Sequence, residues 1–417
     1  MTSFKSEFLN IMHERGFYNQ CTNEQGFDEY LAECERKGMP AVGYLGSDPT
    51  GDSLHVGHIV PLMMLRWFQK CGHKPLTLVG GATARIGDPS GKDKLRPFLS
   101  EETLAHNVQG LKKSFMKFLK FGDGKNDALM VDNYDWFKDI NYLEFLRDIG
   151  TCYSVNRMLT MDSVKSRLER EQPMSFLEFN YMLLQGYDFC VLLQKYGCRA
   201  QIAGADQWGN IVSGTELGRR RYDTELFGFT SPIITDSAGK KMGKSEGNAV
   251  WINEDKLPAY DYYQYFRNIG DAEVGKCLRI FTDLPMDEVR RLEVLQDKEI
   301  NEAKKILAFE ATKICRGEAE AAAARETAVK TFEKGIAGDD LPTVSGAKAG
   351  VGVLDAFLAL GFVASKGEAR RLIKQAGLKL NDKVITDENY VITEKDIENG
   401  NIKLSQGKKK HGLLVLE

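Results

Sequence analysis

Short apolar runs set between polar turns mark the first half of this chain. Five read as buried strands: Ala41-Val42-Gly43-Tyr44-Leu45, Leu76-Thr77-Leu78-Val79, Ala128-Leu129-Met130-Val131, Arg199-Ala200-Gln201-Ile202-Ala203 and Pro232-Ile233-Ile234. Most are followed by glycine or polar turn residues and then by a helical pattern. Strand–loop–helix repetition predicts an α/β domain with a mostly parallel sheet. Such sheets bind ligands at the carboxyl ends of their strands. The polar clusters after Leu45, Val79, Val131 and Ala203 fall in those places.

From about Glu254 to Lys334 the pattern turns helical, and the stretch from Glu318 is rich in the helix formers Ala, Glu and Lys. Residues 336–352 mix Gly, Asp, Pro, Ser and Ala and read as a linker. The remainder, 353–417, reads as a small α+β module. Ser365 is a helix cap with Glu368 at capping-box spacing. Ala369, Leu372, Ile373 and Ala376 share one face of that helix, and Lys366, Arg370 and Lys374 recur on another. Arg371 adds to the basic character, a β-rich stretch follows, and Lys408, Lys409 and Lys410 form a basic knot near the end. The expected division is therefore 1–230 as an α/β domain with an insertion at about 115–195, 231–335 as a helical domain, the linker, and the terminal module.

Composition narrows the class. The chain has 417 residues, 42% hydrophobic and 28% charged, with a formal net charge of −3. That excludes a uniformly basic protein, so any nucleic-acid surface must be a local patch. Eight scattered cysteines form no C-x-x-C pair and read as reduced thiols, without a disulfide framework or a metal site. The early acidic residues and the lack of an apolar leader or membrane-length run make a cytoplasmic location the expectation.

Candidate chemistry begins at His55-Val56-Gly57-His58, two of only six histidines. A polar turn precedes them and an apolar helical run, Ile59 to Phe68, follows. Both rings therefore fall near a helix N-terminus, where free N–H groups and the dipole favour negative charge. Far downstream lies Lys241-Met242-Gly243-Lys244-Ser245, in a glycine-rich loop. Taken singly, the first is more often a cap and the second a solvated face. Together, in this order, they resemble the HIGH and KMSKS signatures of class I aminoacyl-tRNA synthetases, with Val56 for Ile and Gly243 for Ser.

Four longer blocks extend the resemblance from about Tyr44 to Ser245: Gly46-Ser47-Asp48-Pro49-Thr50; Gly80-Gly81-Ala82-Thr83 running to Ile86-Gly87-Asp88-Pro89-Ser90-Gly91-Lys92; Tyr181-Met182-Leu183-Leu184-Gln185-Gly186-Tyr187-Asp188; and Gly204-Ala205-Asp206-Gln207-Trp208-Gly209-Asn210. With them the chain resembles the bacterial-type tyrosyl-tRNA synthetases. That family implies a Rossmann-like catalytic domain, a helical domain and a terminal RNA-binding module. It implies activation of L-tyrosine by ATP and transfer to tRNA(Tyr), in a homodimer, with Mg²⁺ as the counter-ion of ATP and no membrane partner.

The resemblance also implies roles. Asp88, Tyr181 and Gln185 hold the substrate ammonium, Tyr44 and Asp188 bond the phenol, and Gln207 lies near the reacting carboxylate. His55 and Thr50 meet the phosphates and His58 the ribose, and these three are catalytic together with Lys241 and Lys244. Asp48, Gly57, Lys92, Gly204, Asp206, Lys244 and Ser245 bind ATP, and Arg96 joins Lys92 on the pyrophosphate. Lys366, Arg370, Arg371, Lys374, Lys408, Lys409 and Lys410 bind tRNA. An α-carboxyl with a pKa of about 3.3–3.7 is already ionised at neutral pH, so activation needs no general base. Rival readings are a tryptophanyl relative, a non-catalytic RNA-binding relative, and an unrelated nucleotidyltransferase with an H-x-G-H site.

Overall fold

Four of the five apolar runs form strands of one six-stranded sheet in the computed structural model, which describes residues 4–90, 99–237, 239, 241–245, 248–333, 341–347, 350–398, 400–407 and 410–416. The side chains of 162, 244, 245, 248 and 331–333 lie outside that description. The chain divides into two compact units, Met1–Leu257 with Gly270–Ala303, and Pro258–Ile269 with Lys304–Glu417.

In the first unit the strands are β1 (Gln20–Cys21), β2 (Val42–Ser47), β3 (Lys74–Val79), β4 (Leu129–Asp132), β5 (Cys198–Gly204) and β6 (Phe227–Ser231). Their order is β1-β6-β5-β2-β3-β4. β2 to β6 pair in parallel, and β1 closes one edge antiparallel to β6. β4 therefore belongs to the main sheet, although it falls within the range read as an insertion. The fifth expected strand is displaced: β6 is Phe227–Ser231, and Pro232-Ile233-Ile234 follows it. A proline cannot donate to the ladder. Phe227 and Phe229 instead supply β6 with buried rings, Phe227 stacking on Phe27 at 5.2 Å. Gly228 lets β6 lie against the Trp208–Tyr222 helix, since a Cβ there would stand 2.1 Å from Ile211 Cγ2.

The Val56–Lys70 helix packs its apolar face on the sheet. Further along it, Arg66 makes a forked pair with Asp283, Nε donating to Oδ1 at 3.2 Å and Nη2 to Oδ2 at 2.6 Å. Such a planar two-point pairing fixes direction as well as distance. It ties the helix that begins at His55 to the Gly270–Ala303 segment.

The second unit carries a sheet of β9 (Thr343–Ala347), β10 (Leu378–Leu380), β11 (Lys383–Val384), β12 (Ile402–Gln406) and β13 (Lys410–Leu416), in the order β11-β10-β12-β13-β9. β9 lies inside the stretch read as a linker and pairs in parallel with β13. Phe357, Ile373, Leu378, Leu404 and Leu414 form the core beneath. Ser365 caps the Lys366–Lys374 helix by accepting from Glu368 N at 3.2 Å. The returning carboxylate of Glu368 takes the N–H of Ala364, one residue earlier than a capping box requires. Ala369 and Ile373 are buried as expected, but the helix stops at Lys374, and Ala376, at φ +54°, is exposed beyond it. Among the described residues no helix is long and apolar enough to cross a membrane.

Candidate active site

His55 is the cap of the Val56–Lys70 helix. Its Nδ1 accepts from Gly57 N at 3.0 Å, and His58 Nδ1 accepts from His55 N at 3.2 Å. The two rings are 4.0 Å apart, His58 and Gly57 exposed and His55 half-buried. A side-chain Cβ at Gly57 would come within 2.8 Å of the His55 ring.

The lysine loop is laid on this helix start. Val56 N donates to Val250 O at 2.9 Å and Ile252 N to Leu54 O at 2.8 Å. Just before those anchors, β7 (Lys244–Ser245) and β8 (Asn248–Ala249) form a small hairpin. Val250 N donates to Gly243 O at 2.9 Å. Gly243 is buried at φ +104°, and a Cβ on it would lie 2.8 Å from Gly57 N. A β-carbon is excluded there twice, by conformation and by space. That accounts for glycine where the signature has serine. Lys241 is exposed. Lys92 and Arg96 lie outside the described residues, as do Lys408 and Lys409.

The Tyr181–Tyr196 helix presents Tyr181, Gln185 and Asp188, all buried. The Tyr181 hydroxyl donates to Asp48 Oδ2 at 3.0 Å. Asp48 Oδ1 accepts from Thr83 Oγ1 at 2.8 Å, and Thr83 Oγ1 accepts from Asn133 Nδ2 at 3.0 Å. The same Asn133 amide reaches Asp188 Oδ2 at 3.0 Å, and Trp136 Nε1 donates to Asp188 Oδ1 at 2.8 Å. A continuous polar relay thus runs from Asp48, after β2, to Asp188. Gly80 makes room for it, because a Cβ there would stand 2.0 Å from Asp48 Oδ1. Asp48 was expected among the nucleotide ligands; its carboxylate is engaged with Tyr181 and Thr83.

Burial dominates the charge states. It pushes the Asp188 carboxyl up to about 8 although Asn133 and Trp136 donate to it. Burial, and then the Asp188 charge, raise the Tyr44 hydroxyl well above its ordinary value. Tyr44 is 0% exposed, and its hydroxyl has no hydrogen-bond partner among the described residues. At the far side Asp88 Oδ2 accepts from Gln207 Nε2 at 2.9 Å. Gln207 also reaches Asp206, which is exposed at the end of β5 beyond Gly204. Thr50 is exposed on the turn after Asp48.

Asp48, Thr83, Asn133 and Gln207 therefore follow the carboxyl ends of β2, β3, β4 and β5, with the histidines and the lysine loop beyond β2. Asn133 and Trp136 were not singled out in the sequence. Their only local signal is a polar residue directly after a strand, at Asp132-Asn133, and a donor-only indole three residues on. In the second unit Lys366 pairs with Asp355 at 2.6 Å and Arg370 with Glu388 at 3.5 Å, while Arg371, Lys374 and Lys410 are exposed.

Comparisons with known proteins find two matching families. The family described as tRNA synthetases class I (W and Y) matches residues 36–333, and the S4 domain matches residues 354–397. A tyrosine–tRNA ligase of Nitrobacter winogradskyi is 52% identical over 419 residues, covering 99% of each chain. One from Rhodospirillum rubrum is 52% identical over 418 residues, again covering 99% of each. Among solved structures, a C-terminally truncated mitochondrial tyrosyl-tRNA synthetase of Aspergillus nidulans superposes with a TM-score of 0.69 at 30% identity. That match covers 78% of this chain and 94% of the other.

Proposed function

Because the chain belongs to the class I tRNA synthetases for tryptophan and tyrosine, we propose the following account of its site and its work. It is a tyrosine–tRNA ligase, which activates L-tyrosine with ATP and passes the tyrosyl group to tRNA. One observation carries the choice of amino acid: an unpartnered, buried Tyr44 hydroxyl lies within electrostatic reach of the buried Asp188 carboxyl. A phenol answers both groups, donating to the acid and accepting from the hydroxyl. An indole N–H could donate but has nothing with which to accept. Phenylalanine would leave a buried acid unmatched, at a cost of about 1–3 kcal/mol or more.

Asp88, Tyr181 and Gln185 receive the three protons of the substrate ammonium, with Asp48 holding the Tyr181 hydroxyl in place. Gln207 stands by the carboxylate. That carboxylate attacks the α-phosphorus of ATP, forming the mixed anhydride as the bond to pyrophosphate breaks. Charge grows on the phosphate oxygens, so the site works by position and electrostatics. His55, Thr50, Lys241 and Lys244 meet the phosphates, with Lys92 beside them. His58, Gly57, Gly204 and Asp206 border the ribose, and Ser245 closes the hairpin over the nucleotide. Mg²⁺ enters as the counter-ion of the polyphosphate. Among the described residues no group of three or more His, Cys, Asp or Glu side chains gathers as a metal cage.

The division of labour follows the chain: 1–230 binds tyrosine and ATP, 231–335 carries the lysine loop and helices, and 353–417 meets tRNA through Arg371, Lys374 and the basic knot. The setting is cytoplasmic, which the eight free cysteines support. A homodimer accounts for the apolar side chains at the surface of the insertion, where Leu143 is 74% and Phe176 68% exposed. A monomer in sedimentation equilibrium at micromolar concentration would remove that part. The main test is pyrophosphate exchange into ATP with each amino acid in turn. Exchange with tyrosine alone is expected; exchange with tryptophan, or none, overturns the reading.

A further inference from the structure

Asn253 follows the lysine hairpin and is 3% exposed. Its side-chain Nδ2 donates to the carbonyls of Asp52 at 3.0 Å and Gly110 at 3.1 Å. Its Oδ1 accepts from Ser114 Oγ at 2.9 Å, and its backbone N–H donates to Ser53 Oγ at 3.1 Å. Reversing the amide would set Oδ1 against two carbonyls, so the network fixes its orientation. Three segments meet at this one group: the turn that leads into His55, the Glu101–Met116 helix, and the arm that leaves the lysine hairpin. The helix presses directly on the turn, because a Cβ at Gly110 would stand 1.9 Å from Asp52 O. Asn107 Nδ2 holds the same turn at Pro49 O, 2.9 Å away.

A hairpin that carries cations to a phosphate is useful only if its root is fixed relative to the other phosphate ligands. Here one side of that root is the pair of backbone bonds at Val56 and Ile252, and directly beyond them is Asn253. None of its partners is a reacting group.

We propose that Asn253 is a positioning residue for adenylate formation. It locks the root of the lysine hairpin to the histidine turn, so that Lys241 and Lys244 arrive at the same phosphates as His55. This rests on the reading of the two signatures as the phosphate site. The test is a double-mutant cycle on the full chain with Asn253→Ala and Lys241→Ala. Adenylation rate is followed by pyrophosphate exchange, and tyrosine affinity is measured separately by titration without ATP. Asn253→Ala is expected to slow adenylation on the order of 10- to 100-fold, as misplacement of a catalytic group by about an ångström does. Tyrosine affinity should not move. In the Lys241→Ala background the same change should add little, because the lock then has less to position.

An unchanged rate, or fully additive losses, overturns the proposal. Parallel losses of rate and tyrosine affinity also overturn it, since they mark a general loosening of the fold. Should Asn253→Ala not fold, Ser114→Ala removes one bond from the same amide and takes its place in the cycle. A silent Lys241→Ala variant would sink the phosphate reading and the proposal with it, whereas a costly Lys241→Ala with additive Asn253→Ala sinks the proposal alone.

Discussion

Asp188 shows how much one side chain can carry. It is 2% exposed, accepts two hydrogen bonds from Asn133 and Trp136, and still keeps its proton up to about 8. An unfolded aspartate lets go at about 3.9. Between those values the folded chain holds more protons than the unfolded one. The contribution of Asp188 to stability is therefore full below about 4 and lost as the pH rises through 8. Asp188→Asn should flatten that dependence, so thermal melting at pH 5 and pH 9 should differ less in the variant than in the parent. An equal difference in both counts against the assignment. The same substitution places an NH₂ group before one of two donors, Asn133 Nδ2 or Trp136 Nε1. Preference for tyrosine over phenylalanine in pyrophosphate exchange should then fall by about 1–3 kcal/mol in the ratio of kcat/KM. Tyr181, Gln185 and Asp188 were legible in the sequence because helical spacing alone puts them on one side. Asn133 and Trp136 were not, because what they touch lies about fifty residues further along the chain.

At the scale of elements, the lysine hairpin is the informative one. Gly243 sits at φ +104° with no room for a β-carbon. Gly243→Ser restores the residue of the general signature, yet the side chain would press on Gly57 N. Strain of this kind costs of order 1–3 kcal/mol. The expected result is slower adenylation with tyrosine affinity retained, measured by stopped-flow mixing with ATP and by equilibrium titration. A Gly243→Ser variant as fast as the parent would mean that the docked hairpin is not the working arrangement. The strands were read where continuous apolar runs exist, at β2, β3, β4 and β5. β6 was missed by a few residues because glycine and threonine dilute its two phenylalanines. β9 was missed because its partner, β13, is the last strand of the chain, and no local pattern announces a pairing that distant. Ala376 was misplaced because helix periodicity does not tell where a helix stops.

For the whole molecule, the proposed division of labour predicts two separable activities. Lys366 and Arg370 are already matched by Asp355 and Glu388, so the proposed contact with phosphate rests on Arg371 and Lys374 of that helix. Charge removal by Arg371→Ala with Lys374→Ala should weaken tRNA binding and leave pyrophosphate exchange untouched. The slope of log affinity against log salt should become shallower by about 0.7–0.9 for each phosphate no longer neutralised. An unchanged slope would move the tRNA surface elsewhere. The backbone bridge between His55 and Trp251 has a different kind of consequence. It joins points roughly 200 residues apart, and closing so long a loop costs conformational entropy that grows as (3/2)RT ln n. The sheet carries pairings of similar reach, since β2 meets β5 at Val42 and Cys198 and β1 meets β6 at Gln20 and Thr230. Loop length therefore does not set the order; chain order does, because Trp251 follows every strand of that sheet. On the proposed reading, a chain still emerging from the ribosome would hold its tyrosine pocket in outline before the lysine loop existed to close on ATP.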